Sequence, residues 1–369
     1  MKYLNEFRDP ILAKRLIESI QNTVVAGKTY KLMEFCGGHT HTIFRYGIPD
    51  MLPDTVQLLH GPGCPVCVLP IKRINAAIEI AMQPDTVLCS YGDMLRVPGD
   101  AQRSLLKARS QGADVRMIYS PAEVVKIART EPHKRVVFFA VGFETTTPPT
   151  AVILDQALKL GLSNLFVFCN HVLTPPAIKG ILEPALQNNE KILDGLIGPG
   201  HVSVVTGYEC YEPLAQRYRV PITISGFEPL DILHSILLLI RQINAGTHLV
   251  ENQYKRAVQA KGNRLAQQLI HQCLELREQF EWRGLGNMPL SGLKLRERYK
   301  QHDAEAVFQI TENKAIDNKA CECPAVLRGQ TRPTDCKLFN NPCTPENPLG
   351  SCMVSSEGAC AAYFMYHVQ

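Results

Sequence analysis

Hydrophobic residues occur along most of the chain in short runs that alternate with amphipathic segments. The runs are rich in β-branched and aromatic residues and predict buried strands, whereas the segments between them have the period of helices. The predicted strands are Lys31–Phe35, Val56–His60, Thr86–Tyr91, Val115–Tyr119, Arg135–Val141, Asn164–Cys169, His201–Thr206 and Pro221–Ser225. The helices predicted between them include Ile71–Met82, Pro121–Thr130 and Pro149–Leu160. Alternation of this kind favours an α/β fold with parallel sheets.

The two ends of the chain follow different patterns. Asp9 and Pro10 open the first predicted helix, as N-cap and first helical residue, and this helix runs to about Thr23. A long polar helix is predicted from Glu251 to about Arg277. From about residue 320 onward the chain is rich in Pro, Gly, Asn and Cys, and we expect it to need a bound metal for its order.

Composition narrows the class of protein. The chain has 369 residues, 45% hydrophobic and 20% charged, which is typical of a globular protein with two or three domains. The net charge of +4 comes without a long basic run and gives no case for nucleic-acid binding. Residues 1–24 lack the apolar core of a signal peptide, and the longest apolar run, Ile232–Ile240, is too short for a membrane span. We therefore expect a cytoplasmic protein with no nucleic-acid or membrane partner, whose cysteines are thiols or metal ligands.

Unusual loops follow most of the predicted strands. They are Cys36-Gly-Gly-His39-Thr-His41, Gly61-Pro-Gly-Cys64-Pro-Val-Cys67, Gly92-Asp93, Gly142-Phe-Glu144-Thr145-Thr146, Asn170-His171 and Gly226-Phe-Glu228-Pro-Leu-Asp231. Because the carboxyl ends of parallel strands lie on one edge of a sheet, we expect these loops to converge on one cleft. The carboxylates in them can act as acids or bases there, or serve only as helix caps and solvated loop residues.

Two of these loops carry cysteines. The thiolate of Cys36 and the imidazoles of His39 and His41 suit iron, copper or zinc, and the alternative is a buried cysteine beside two surface histidines. Cys64 and Cys67 can close a disulfide or supply two metal ligands, and the alternative is two separate core thiols. The proline between them is typical of redox-active pairs.

A second group of cysteines lies near the C-terminus. Cys321, Cys336, Cys343 and Cys360 are separated by 14, 6 and 16 residues, and Cys323 and Cys352 lie among them. No interval has the Cys-x-x-Cys form of a zinc ribbon, so four thiolates on irregular chain favour an iron–sulfur cluster, with structural zinc as the alternative. The remaining cysteines lie in apolar segments and are predicted to be core residues: Cys89, Cys169, Cys210 and Cys273.

These patterns together predict two similar parallel-sheet α/β domains around a cleft, with a third domain that is helical and irregular and carries an iron–sulfur cluster. The first α/β domain is predicted to span residues 31–130 and the second residues 131–228. The cysteine-rich domain is predicted to combine residues 1–30 and 229–369.

Taken as a set, these motifs resemble the HypD family of hydrogenase maturation factors. The matching segments are Cys36-Gly-Gly-His-Thr-His, Gly61-Pro-Gly-Cys-Pro-Val-Cys, Gly142-Phe-Glu-Thr-Thr, Pro199-Gly-His201-Val-Ser and Gly226-Phe-Glu-Pro-Leu-Asp. The spacing of Cys321, Cys336, Cys343 and Cys360 matches as well. The segments occur in order over the whole length of the chain.

The resemblance implies a role in assembling the Fe(CN)2CO group of [NiFe]-hydrogenases. Proteins of this family form a complex with the small chaperone HypC, with iron between the two proteins. HypE delivers cyanide as a thiocyanate, HypF acts upstream, and the hydrogenase large subunit is an indirect partner. The family is described as two α/β domains plus a cluster domain, which agrees with the reading from the residues.

By the same resemblance, Cys36 ligates the iron that carries cyanide and carbonyl, and Cys64 and Cys67 form a redox-active pair beside it. The four spaced C-terminal cysteines bind a [4Fe–4S] cluster. The predicted site also includes the polar residues of the loops and motifs: His39, His41, Asp93, Glu144, Thr145, Thr146, His201, Glu228 and Asp231. Among these, His39, His41 and Thr145 are expected to orient the thiolate or donate hydrogen bonds to cyanide.

Two other classes of protein remain open from the sequence. One is a stand-alone iron–sulfur thiol–disulfide reductase with Cys64 and Cys67 as its active site. The other is a zinc-stabilised binding module without a redox role.

Overall fold

The computed structural model describes residues 5–310 and 318–367. Its strands are β1 Tyr30–Glu34, β2 Val56–His60, β3 Thr86–Ser90, β4 Asp114–Met117, β5 Arg135–Gly142, β6 Leu165–His171, β7 Gly195–Pro199, β8 Ile222–Ser225, β9 Val250–Asn252, β10 Leu274–Leu276, β11 Gln279–Trp282, β12 Gly286–Pro289 and β13 Leu293–Leu295. Its α-helices are α1 Pro10–Thr23, α2 Gly37–Arg45, α3 Ile48–Met51, α4 Pro65–Val68, α5 Ile71–Ala81, α6 Leu105–Ser110, α7 Ala122–Thr130, α8 Thr147–Lys159, α9 Thr174–Gln187, α10 Gly200–Thr206, α11 Glu212–Tyr218, α12 Pro229–Ala245, α13 Arg264–Cys273, α14 Ala304–Val307, α15 Cys323–Leu327 and α16 Ala359–His367.

Two parallel sheets organise the fold, which confirms the predicted α/β class. Sheet A has the order β2-β1-β7-β8-β9 and sheet B the order β4-β3-β5-β6. Every strand pair in the two sheets is parallel. The strand pairs β10–β13 and β11–β12 are small antiparallel additions. Helices cover the sheets, as the crossover connections of parallel strands require.

The strands are not divided between the sheets in sequence order. The ranges 31–130 and 131–228 would group β1 to β4 and β5 to β8, but β3 to β6 form sheet B as one continuous insertion, and β7 returns to pair with β1. A Cβ at Gly195 of β7 would lie 3.1 Å from Leu32 and 3.3 Å from Leu239, so the bare glycine makes room for these large side chains in sheet A. The domain ranges stay predictions, but the sheets do not follow them.

Two predicted elements are wrong. The segment His201–Thr206 forms most of helix α10, and the strand β7 ends just before it. Its valines favour a strand by propensity, but Ser203 donates to the Pro199 carbonyl at 2.7 Å within a helical turn, and packing on sheet A overrides the local preference. The long polar helix predicted over 251–277 is divided into β9, α13 and β10, with Asn263 as the side-chain cap of α13.

Other predicted features hold. Asp9 caps α1 by accepting from the Ile11 and Leu12 amides, and α1 packs on α12 beside sheet A. Cys89, Cys169 and Cys273 are fully buried, whereas Cys210 is half-buried. None of the helices in the described part of the chain is long and apolar enough to cross a bilayer.

Candidate functional site

A cavity of about 460 Å³ lies where the carboxyl ends of strands from both sheets meet. Residues that follow β1, β2, β3, β4, β5 and β7 line it, so most of the unusual loops converge as parallel-sheet geometry requires. The lining residues that the sequence had singled out are Cys36, Asp93, Thr145, Thr146 and His201. The structure thus brings these five residues to one place.

Cys36 occupies the N-cap position of α2, directly after the end of β1. Its side chain is buried, and its backbone N–H donates to the Glu34 carboxylate at 2.8 Å. Burial, with the charges of Glu357 and Glu34 as further causes, raises the pKa of the Cys36 thiol well above its usual value. The amides of Gly38 and His39 at the start of the helix act in the opposite direction but do not offset burial. The free thiol is therefore protonated at neutral pH.

The Cys64–Cys67 loop lies against the backbone of Cys36. A Cβ at Gly63 would lie 2.4 Å from the Cys36 nitrogen, so only glycine allows the two loops to approach this closely. Cys64 and Cys67 form a disulfide across the short helix α4, with their Cα atoms 5.2 Å apart. Both cysteines are buried. Their neighbours Gly63 and Pro65 line the cavity, whereas Cys64 and Cys67 are not among its lining residues.

The C-terminal segment closes one side of the cavity. Ser355, Ser356 and Glu357 line it, and a Cβ at Gly37 would lie 2.3 Å from the Glu357 side chain. Sequence reasoning missed these residues because no strand precedes them. The signal that was available is the polar run Ser355-Ser356-Glu357, placed three residues before Cys360 in a segment already marked by its cysteines.

The two histidines of the first loop lie on α2 and have partners outside the cavity lining. His39 is fully buried, with Nε2 3.2 Å from the Ser225 carbonyl and its ring stacked on Phe227 at 4.8 Å. Burial lowers the pKa of His39 to about 4, so the ring is neutral. His41 Nε2 lies 2.8 Å from the Tyr366 hydroxyl. Neither histidine lines the cavity in this structure.

Three of the predicted carboxylates are engaged elsewhere. Glu144 accepts from the Thr174 amide at 2.8 Å and hydroxyl at 2.9 Å, and burial raises its pKa to about 7. Glu228 pairs with Arg8, and the fully buried Asp231 pairs with Arg256. Glu228 and Asp231 also form a capping box at the start of α12. All three residues therefore make structural contacts outside the cavity.

The loop after β6 is also absent from the cavity. His171 is fully buried, with Nε2 2.8 Å from the Thr150 hydroxyl, and burial lowers its pKa to about 4. The side chain of Asn170 accepts from Arg73 in the interior. Sheet-edge reasoning placed this loop at the cleft, but the strand ends two residues later than predicted, and the two side chains belong to the core.

Four of the C-terminal thiols are linked by hydrogen bonds: Cys321 and Cys360 of the predicted set, and the two additional cysteines Cys323 and Cys352. The Cys352 sulfur is hydrogen bonded to Cys323 and Cys360, which lowers the pKa of Cys352, and Cys321 is hydrogen bonded to Cys323. A Cβ at Gly350 would lie 2.6 Å from the Cys321 sulfur and 2.7 Å from that of Cys323.

The two other spaced cysteines belong to one short loop. The Cys343 sulfur accepts from the Leu349 amide at 3.4 Å. Within the loop 336–343, the Cys336 carbonyl accepts from the Phe339 amide and the Cys343 amide donates to the Leu338 carbonyl. Soft sulfur donors of this number fit an iron–sulfur cluster in chemistry. Within 5–310 and 318–367, however, no three or more His, Cys, Asp or Glu side chains already form a group that could hold a metal ion.

The disulfide loop lies between the two cysteine regions. On one side Gly63 contacts Cys36, and on the other the Ser351 hydroxyl donates to the Cys67 carbonyl at 2.9 Å. Ser351 precedes Cys352 in the chain. Contacts therefore run from the cavity, through the disulfide, to the C-terminal thiols. The fold and this arrangement define an α/β protein with a cysteine-lined site at the strand ends and a second, thiol-rich region behind it.

Comparison with known proteins identifies the family. The family model HypD, described as "Hydrogenase formation hypA family", matches residues 11–367. The hydrogenase expression/formation protein HupD of Azotobacter chroococcum mcd 1 is 58% identical over 367 residues, which cover 99% of this chain and 97% of that protein. The hydrogenase maturation factor HypD of Azotobacter vinelandii has the same identity and coverage, and that of Escherichia coli (strain K12) is 42% identical over 374 residues, 100% of this chain and 99% of that protein. The chain belongs to the HypD family of hydrogenase maturation factors, which confirms the resemblance of its motifs.

Proposed function

We propose that this chain forms, together with a small chaperone of the HypC type, the scaffold on which the Fe(CN)2CO group of [NiFe]-hydrogenases is assembled. The observation that carries this proposal is the position of Cys36. It is a lone thiol at the wall of a cavity built by strand ends of both sheets, with a cysteine pair packed against its backbone. Membership of the family supports a role in hydrogenase maturation, and the cavity is a site at which a small metal group can bind.

Iron is the cargo, and Cys36 is the ligand that this chain offers it. A thiolate is a soft donor that suits iron carrying cyanide and carbonyl, and the partner chaperone contributes a second thiolate from its N-terminal cysteine. Thr145, Thr146 and His201 line the same cavity, and the Thr146 hydroxyl donates to the Phe143 carbonyl at 3.2 Å. Thr145 and His201 are therefore the side chains proposed to donate hydrogen bonds to cyanide nitrogens. His39 and His41 act through α2 in this proposal, because their own hydrogen bonds go to other parts of the chain.

Cyanide transfer requires two electrons. A protein thiocyanate takes up two electrons and one proton when its S–C bond breaks, and it yields a thiol and cyanide, which binds the iron. Cys64 and Cys67 in their dithiol form supply the two electrons as their S–S bond forms, and of their two protons one goes to the new thiol and the other to solvent. HypE is the proposed donor of the thiocyanate, with HypF upstream and the hydrogenase large subunit as the final acceptor of the iron group.

The cysteine pair must then be reduced again. A [4Fe–4S] cluster held by Cys321, Cys336, Cys343 and Cys360 would supply electrons one at a time when bound. The contact between Ser351 and the Cys67 carbonyl supports this placement, because it brings the C-terminal segment directly against the disulfide. Cys323 and Cys352 lie among the same thiols and are not assigned a ligand role in this proposal.

Anaerobic purification of the full chain with a HypC-type chaperone, followed by infrared spectroscopy, tests the proposal. Cyanide and carbonyl stretches absorb in a window that ordinary protein groups leave empty. We expect these bands in the complex, together with the brown colour of an iron–sulfur cluster. A stable, brown complex without such bands would contradict the scaffold function.

A stable, brown complex without cyanide and carbonyl bands would favour a stand-alone iron–sulfur thiol–disulfide reductase. The Cys64–Cys67 disulfide itself suggests this alternative. Cys64 is 3% exposed and Cys67 is fully buried, which hinders direct exchange with a dissolved disulfide substrate. Turnover of a small disulfide without any partner protein would favour the reductase, and absence of turnover in a protein with an intact cluster would favour the scaffold.

A further inference from the structure

A buried carboxylate lies directly behind Cys36 and belongs to none of the motifs that point to the function. Glu34 is the last residue of β1 and is 1% exposed. Its Oε2 accepts the backbone N–H of Cys36 at 2.8 Å. Its Oε1 accepts from the Thr40 hydroxyl and lies 2.9 Å from Nδ1 of His60. A carboxylate oxygen accepts, so His60 donates from Nδ1.

The three donors to Glu34 come from two parts of the fold. Cys36 is the N-cap of α2, Thr40 lies one turn into that helix, and His60 is the last residue of β2. Glu34 and His60 are direct partners in the β1–β2 register, so the pair spans two neighbouring strand ends. A buried carboxylate without donors would strongly destabilise the folded state. These donors together fix the carboxylate, and the carboxylate in turn fixes the main chain at Cys36.

His60 extends the network to the cysteine-rich segment. Its ring is 6% exposed and packs edge-on against Tyr363 at 5.6 Å and beside Phe44 at 5.2 Å. Tyr363 lies on α16, one turn after Cys360. Nε2 of His60 is buried and makes no hydrogen bond with protein atoms in the described part of the chain. The network therefore joins the Cys36 turn to the helix that carries one of the spaced cysteines.

We propose that Glu34, held by His60 and Thr40, is a positioning residue for Cys36. It holds the turn between β1 and α2 so that the Cys36 sulfur faces the cavity, and it does so without contact with the cargo. The inference rests on the proposed function only for the identity of that cargo as iron.

The test uses the full chain, purified anaerobically in complex with a HypC-type chaperone, and measures the cyanide and carbonyl bands per mole of protein. We expect Glu34→Gln to lower the band intensity about tenfold and to shift the remaining bands, because the amide nitrogen cannot accept one of the bonds that the carboxylate accepts. Thr40→Val keeps the shape of the side chain but removes the hydroxyl that donates to Glu34. We expect it to lower the band intensity less than Glu34→Gln does. Glu183→Gln, which alters an ion pair with Arg217 at the surface, is the matched control and should leave the bands unchanged.

A second pair of variants separates positioning from a general loss of structure. His60→Asn keeps an N–H donor near the place of Nδ1, whereas His60→Ala removes it. We expect the asparagine variant to retain most of the band intensity and the alanine variant to lose it, at matched thermal unfolding midpoints. Wild-type bands in both Glu34→Gln and His60→Ala would overturn the positioning role. Absence of bands in the wild-type complex would instead contradict the proposed function, so the two failures are distinguishable.

Discussion

The two cysteine regions of this protein are built in different ways. Cys36 and the Cys64–Cys67 loop are held by strand ends, helix starts and the close approach at Gly63, and their backbone is fixed by a parallel sheet. The thiols between 321 and 360 lie on short helices, turns and irregular chain, with no named strand in the described range 318–367. The first region is therefore positioned by regular secondary structure, whereas the second is a group of sulfur atoms on irregular chain that hydrogen bond to one another.

This difference has a physical consequence for metal binding. A site on regular elements is positioned by the fold, and a metal adds to a structure that already exists. Thiols on irregular chain gain their arrangement from the group they hold, so metal binding and local order are coupled. We therefore expect substitutions in the first region to abolish function with little loss of structure, and substitutions in the second to disturb the segment itself.

The largest effect is expected for Cys36→Ala. The variant removes the ligand that this chain offers to iron but leaves the network around Glu34 and the distant thiols intact. We expect complete loss of the cyanide and carbonyl bands and of hydrogenase maturation in cells, with unchanged cluster absorbance. Retained bands in the purified variant complex would show that another residue holds the iron.

A loss of nearly the same size is expected for Cys64→Ser. The hydroxyl preserves the size of the side chain and its place at the N-cap of α4, but the chain can no longer supply two electrons from a cysteine pair. The variant should still bind the chaperone, and the cyanide bands should not form. Normal hydrogenase maturation with this variant would remove the cysteine pair from the transfer step.

The C-terminal region is tested by comparing Cys336→Ser with Cys352→Ser. Cys336 belongs to the spaced set and shares the tight loop 336–343 with Cys343, whereas the Cys352 sulfur is hydrogen bonded to Cys323 and Cys360. We expect the first variant to lose most of its cluster iron and the second to retain it, as measured by iron and sulfide analysis of anaerobic protein. The reverse pattern would place Cys352 in the ligand set.

The contrast also shows what the sequence could predict about the site. Loops after parallel strands share one sheet edge, and this rule brought together Cys36, Asp93 and Thr145 from three separate segments. His201 was identified only through the resemblance of its motif, because the segment that it opens was predicted as a strand. It does not report the direction of each side chain. Glu144 lies in the same loop as Thr145 but faces Thr174.

Long-range pairing was harder to predict. Nothing local in β3 indicates that it starts a second sheet, and the return of β7 to β1 depends on Gly195 admitting Leu32 and Leu239. For the same reason the contact between Glu34 and His60 was missed, since it depends on the register of two strands and neither residue belongs to a recognisable motif. The arrangement of the C-terminal thiols follows no periodic pattern, so spacing alone could suggest only a set of four.

The smallest effect is expected at Glu144, a loop residue that faces away from the cavity. Burial raises its pKa from 4.5 to about 7, so the folded state binds a proton there more tightly than the unfolded state. The resulting stabilisation is fully present below pH 4.5 and is lost as the pH rises through about 7, a fall of about 3 kcal/mol in the free energy of unfolding. Glu144→Gln stays neutral, keeps an oxygen that accepts from the Thr174 amide, and can donate from its amide nitrogen to the Thr174 hydroxyl. Urea unfolding of the variant should therefore lack this pH dependence while its cyanide bands remain normal. An equal dependence of the free energy of unfolding on pH in both proteins would show that Glu144 is ionised in the folded state. Loss of the cyanide bands in Glu144→Gln would show that Glu144 takes part in the function.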